Sequence, residues 1–119
     1  MVVIKKASNI IPIDFGEFQF EYSANDKGMK ELDKFREDLS KNWKKMEKLS
    51  DDKIAEKAKE LVEEGWAQLF GTDAFEKVYK FAEEDTTIAF NYLMQATLGI
   101  QKEYRERNSE AAFKKYLEG

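Results

Sequence analysis

The chain has 119 residues, 42% hydrophobic and 37% charged, with a formal net charge of −4 and neither histidine nor cysteine. That length suits one domain, able to bury roughly two thirds of the surface its unfolded chain exposes; the mixture is too apolar for a disordered polyelectrolyte and too charged for a membrane protein. The missing residue types exclude disulfides, thiolate nucleophiles, Ser-His-Asp machinery and histidine-ligated metals, and the negative balance argues against a dedicated nucleic-acid binder, which must neutralise phosphates.

The opening run, MVVIKKASNIIPIDF, lacks a continuous apolar stretch followed by a small-residue cleavage site, so no signal peptide is expected and the cytoplasm is the default location. From Ile11 the pattern alternates: Ile11, Ile13 and Phe15 share one face of an extended chain, and Phe18, Phe20 and Tyr22 share one face after it. Gly16 and Glu17 lie between the two sets. Glycine first in a two-residue loop predicts a type II′ hairpin pairing Phe15 with Phe18, Ile13 with Phe20 and Ile11 with Tyr22. Pro12 is best tolerated if the first strand is an edge.

After Ser23 the period lengthens. Met29, Leu32, Phe35, Leu39, Trp43 and Met46 recur at helical spacing, with Asn25 or Asp26 as N-cap. Ser50 offers the next cap, and Ile54, Ala58, Leu61, Val62, Trp66, Leu69 and Phe70 form the stripe of a second helix that Gly71 can end. A short third helix follows, with Asp73 and Glu76 spaced as a capping box and Phe75, Val78, Tyr79 and Ala82 facing inward. Asp85 or Thr86 can cap a fourth. Its first part, Thr86 to Ile100, carries no charge, is too short for a membrane span of about 20 residues, and reads as a helix through the centre of the fold. Asn108 or Ser109 can break it before a last short helix holding Phe113, Tyr116 and Leu117. The predicted fold is therefore α+β, mainly α: a single domain over residues 1–119, with an N-terminal β-hairpin segment at 1–24 packed on a helical body of four or five helices at 25–119.

Asp14-Phe15-Gly16 spells the magnesium-holding triplet of protein kinases, but no glycine-rich phosphate loop, strand lysine or catalytic-loop aspartate precedes it. It reads as a turn with packed phenylalanines. Glu60, Glu63 and Glu64 lack the histidines of bundle di-iron sites and read as a solvated face. Lys41, Lys45 and Lys48 align beside Lys44 and Trp43; that face either is solvated or holds single-stranded nucleic acid. Basic residues prevail over acidic ones in 25–49, and the reverse holds in 50–85. The apolar face of Phe113, Tyr116 and Leu117 docks either on this chain's core or on another chain.

The order of elements, with GEFQFEYS ending the β segment, GTDAFEKVY opening the later helices at Gly71 to Tyr79, and an apolar helix closing in GIQKEYRER, resembles the small tail assembly chaperones of long-tailed phages and prophages of Gram-positive bacteria. The likeness spans about residues 10 to 106. It implies a non-enzymatic protein without cofactor or metal, in the cytoplasm of the bacterial host, that binds the tape measure protein and presents it to tail-tube subunits, with self-association and a longer frameshifted form as further possibilities. The resemblance supplies no site residues to carry over. Physical reasoning alone nominates Trp43, Trp66, Phe113, Tyr116 and Leu117 as partner-binding. The alternative is a small nucleic-acid-binding or host-modulating phage protein, with the acidic middle segment meeting a basic partner.

Overall fold

The computed structural model describes residues 1–108, 114 and 117. Two strands, β1 (Ile10–Asp14) and β2 (Gln19–Ser23), precede four helices: α1 (Asp26–Met46), α2 (Asp51–Phe70), α3 (Ala74–Phe81) and α4 (Thr86–Arg107). The molecule is α+β and mainly helical, with the hairpin laid across the helices. The last short helix expected around Phe113, Tyr116 and Leu117 lies outside the described residues apart from Lys114 and Leu117, both helical and exposed.

The hairpin has the register that alternation dictates, Ile11 opposite Tyr22 and Ile13 opposite Phe20. Gly16 sits at φ +86°, as a type II′ turn requires of its first central residue, and the Phe15 N–H donates to the Phe18 carbonyl at 3.0 Å. The Asp14 carboxylate accepts from the Gly16 N–H at 2.7 Å, so the aspartate of the kinase-like triplet is a turn residue. Antiparallel pairs alternate between bonded and unbonded. Counting from the bonded Phe15–Phe18 pair, Pro12 falls in an unbonded pair, and its missing N–H faces the free edge of β1. Arg107 of α4 donates to the Ile10 carbonyl on that edge at 3.3 Å. A proline and a covering arginine together blunt the edge against pairing with other strands.

Beneath the hairpin lies an aromatic cluster. Phe15 stacks on Phe18 at 4.6 Å and meets Phe81 edge-on at 5.3 Å, while Phe20 stacks on Phe70 at 5.2 Å. Trp66, fully buried, touches Phe15, Phe20 and Phe70, and its indole N–H donates to the Ala89 carbonyl at 3.1 Å, tying α2 to α4. That bond lets a polar ring sit in the core without an unpaired donor.

The centre is α2 rather than α4: α2 packs on α1, α3, α4 and β2. Gly65 makes this possible, because a Cβ there would lie 2.8 Å from Leu93 Cδ2 and 3.2 Å from Phe35 Cζ. Helix α4, uncharged from Thr86 to Ile100, buries one face only there, through Ala89, Leu93, Ala96, Thr97 and Ile100. Asn91, Gln95, Leu98 and Gly99 face out. No described helix lies over that side, so the missing charge in Thr86–Ile100 does not mark all-round burial.

Caps follow the sequence in part. Asn25 accepts from the Gly28 N–H at 2.7 Å and Asp85 from the Ile88 N–H at 3.0 Å. Ser50 and Asp73 stand at N-cap positions without a side-chain cap bond, so the capping box expected from Asp73 and Glu76 does not form. Asp73 has helical backbone angles (φ −88°, ψ −8°) where a side-chain cap takes extended ones, and the Ala74 N–H donates to the Gly71 carbonyl at 3.1 Å. Helix α3 ends without glycine. Glu83 and Glu84 are both left-handed, at φ +55° and +59°, with the Glu84 N–H on the Tyr79 carbonyl and the Glu83 N–H on Lys80, the paired bonds of a Schellman motif.

Candidate binding groove between the hairpin and the last helix

One face of β1 and one edge of α4 leave a gap. Pro12, Ile13 and Phe15 form one wall, Tyr92, Gln95 and Ala96 the other, Phe81 closes one end, and the opening holds about 420 Å³. Alternation along β1 places Ile13 and Phe15 there half-buried, and the helical repeat brings Tyr92, Ala96, Gly99 and Glu103 to the same side.

Gly99 is the informative residue. Inside a helix, glycine is less stable than alanine by about 1 kcal/mol, so a helical glycine calls for a packing reason. At Gly65 the reason is the close approach of Leu93 and Phe35; at Gly99 an added Cβ would meet nothing within 4 Å among the described residues. No described residue packs on this bare backbone. It deepens the groove floor beside Ala96, where an external group can approach α4 closely.

Two carboxylates line the groove, and one of them is paired with an arginine beside it. Asp14 holds its bond to Gly16, and the Glu103 carboxylate accepts from Arg107 at 2.8 Å, so both carboxylates have fixed positions at the rim. A larger opening of about 690 Å³, near the start of α1, is lined by residues of both signs, among them Glu21, Glu31 and Lys34. Tyr22 borders it, its phenol donating to the Gly28 carbonyl at 2.6 Å. Burial, and secondarily the charge of Glu31, pushes the Tyr22 phenol above its ordinary value of 10.0. Tyr22 thus acts as a pin between β2 and α1, and this opening is the more polar of the two.

The residues nominated from sequence do not form one site. Trp66 is fully buried, so it serves the core and presents no surface to a partner. Trp43 is half-buried on α1 and stacks on Phe90 of α4 at 4.7 Å, which occupies one face of its ring. Leu117 is 86% exposed, and Phe113 and Tyr116 lie outside the described residues. Lys41, Lys44, Lys45 and Lys48 are exposed together on α1. Among the described residues no group of three or more acidic side chains converges as a metal would need, and no helix is long and apolar enough to cross a membrane.

Sequence reasoning missed the groove residues Pro12, Tyr92, Gln95 and Gly99. Two signals were available: a lone glycine inside a helical pattern, and an uncharged stretch whose polar members, Asn91 and Gln95, share a side with Leu98. Residues 1–9 were read only for a signal peptide. All nine are exposed, with Val2, Val3 and Ile4 at 87%, 69% and 90%.

No family model matches this chain, and neither a curated protein nor a solved structure is significantly similar to it.

Proposed function

We propose that the protein is a non-enzymatic tail assembly chaperone that holds an apolar segment of the tape measure protein and presents it to tail-tube subunits in the cytoplasm of the bacterial host. The observation that supports this reading is the groove between β1 and α4, an apolar cleft continuous with an uncharged helix face on a chain that is otherwise 37% charged. A holder of amphipathic segments needs apolar surface framed by charge, which accepts the client while opposing self-aggregation. The order of elements that resembles the tail assembly chaperones supplies the client's identity.

Co-expression with a phage tape measure protein tests the proposal. The tape measure protein should become more soluble and co-purify with the chain, and Gly99→Arg, which fills the groove from a position with open space around it, should abolish both effects. Unchanged solubility with no co-purification refutes the chaperone reading; capture that is indifferent to Gly99→Arg refutes the groove as its seat.

A further inference from the structure

The two edges of the hairpin are finished differently. On β1 the outward residues are Ile10, Pro12 and Asp14; Pro12 has no N–H, the Ile10 N–H donates to Ser8 Oγ at 3.1 Å, and Arg107 donates to the Ile10 carbonyl at 3.3 Å. Little of that edge is left for another strand. Along β2 the bonded pairs run from Phe15–Phe18 at the turn to Asn9–Ala24 at the far end, at 3.0 and 3.1 Å. Alternation between them turns the N–H and C=O groups of Gln19 and Glu21 away from β1. Both residues are exposed, and among the described residues no loop or helix backbone bonds to these four groups. The free stretch ends at Ser23, whose carbonyl lies so close to Gly28 that a Cβ there would have no room.

Space and charge beside this edge suit one kind of guest. The opening of about 690 Å³ lies along β2, bordered by Glu21 and Tyr22 on the strand, Leu69 on α2, and Lys34 and Asp38 on α1. A third strand, about 4.8 Å from β2, would enter it. Residues 7–26 hold four acidic side chains and no basic one. On the α1 wall Lys27 is engaged with Glu31 at 3.9 Å, and Lys34 stands three residues after Glu31 and four before Asp38. Glu21 is left on the strand side with no ion-pair partner among the described residues.

We infer that the free edge of β2 receives an extended segment of another protein, one that alternates basic with apolar side chains. Its backbone bonds to Gln19 and Glu21, its basic side chains lie beside Glu21 on the outer face, and its apolar ones turn inward to Tyr22 and Leu69. A second copy of this chain is a poor guest, because joining two β2 edges sets one acidic hairpin against another, and like charges on neighbouring strands repel. The edge lies across the hairpin from the β1–α4 groove, so the inference stands whatever that groove holds.

A fluorescein-labelled heptapeptide of alternating lysine and valine tests it on the whole chain. Fluorescence anisotropy at low salt should show saturable binding. A glutamate–valine peptide should bind about tenfold or more weakly, and so should a lysine–valine peptide N-methylated throughout, which keeps its charges and loses every backbone donor. Glu21→Lys should weaken the lysine–valine peptide by a similar factor and strengthen the glutamate–valine one; if that variant fails to fold, the methylated peptide on the wild type still decides. By NMR, saturating peptide should slow hydrogen exchange at the Gln19 and Glu21 amides. No binding up to millimolar peptide, equal binding of the methylated peptide, or exchange at those two amides that the peptide leaves unchanged overturns the proposal. So does exchange at the same amides that slows without peptide as protein concentration rises, which would seat a second copy on the edge.

Discussion

The contrast between Gly65 and Gly99 makes the sharpest test of the packing. Both lie inside helices, so Gly→Ala at either position gains about 1 kcal/mol of helix propensity. At Gly99 no described residue opposes the gain, because the new Cβ has none of them within 4 Å; Gly99→Ala should stabilise by about 0.5–1 kcal/mol. At Gly65 the Cβ arrives 2.8 Å from Leu93 Cδ2 and 3.2 Å from Phe35 Cζ, and both neighbours are buried, at 0% and 4% exposure. Neither side chain has room to retreat, so overpacking of about 1–3 kcal/mol outweighs the propensity and leaves Gly65→Ala destabilised by up to about 2 kcal/mol. Urea unfolding at neutral pH and low protein concentration, followed by circular dichroism, reads the two changes as midpoint shifts of opposite sign at constant slope. Equal stabilisation at both positions would show that the three-helix contact at Gly65 is loose. Destabilisation at Gly99 would show that the chain's own atoms already fill the groove.

Glu83→Gly should raise stability by about 1 kcal/mol, since a left-handed residue with a Cβ carries roughly that strain and the Schellman bonds of α3 use only backbone atoms; a loss in urea midpoint would mean that the glutamate side chain holds the turn. Leu93→Ala, at a fully buried position, should cost about 2–5 kcal/mol, and a near-neutral midpoint would contradict its place between α2 and α4. Tyr22 supplies the pH dependence: its phenol ionises higher folded than unfolded, so its contribution is complete below the unfolded value near 10 and disappears as pH rises through the folded one. Tyr22→Phe should therefore lose about 1 kcal/mol at neutral pH for the missing bond to Gly28 and show a shallower alkaline decline than wild type; parallel alkaline curves would refute the assignment.

The hairpin was legible because it is local. Period-two alternation and one glycine determine both register and turn, and the same pattern places Pro12 where no ladder bond is lost. Helix existence was equally readable from apolar spacing, whereas caps were ambiguous, because Asp73 adopts helical backbone angles and makes no side-chain cap bond. Reading α4 as central failed for a physical reason: absence of charge marks surface that water need not solvate, whether protein or a partner covers it. The groove itself was not legible. It joins residues at opposite ends of the sequence, and only tertiary placement shows that Gly99 has open space where Gly65 has Leu93.

That separation along the sequence has a consequence in time. One wall of the groove belongs to β1 and the other to the middle of α4, and the arginine that fastens them, Arg107, is the last residue of that helix. On the ribosome, where chains emerge from the N-terminus, the aromatic underside of the hairpin appears early and waits uncovered until α2, α3 and α4 follow. A nascent chain thus displays Phe15 and Phe18 but has no groove to offer. Order of synthesis, more than affinity, sets the moment at which the site can first act.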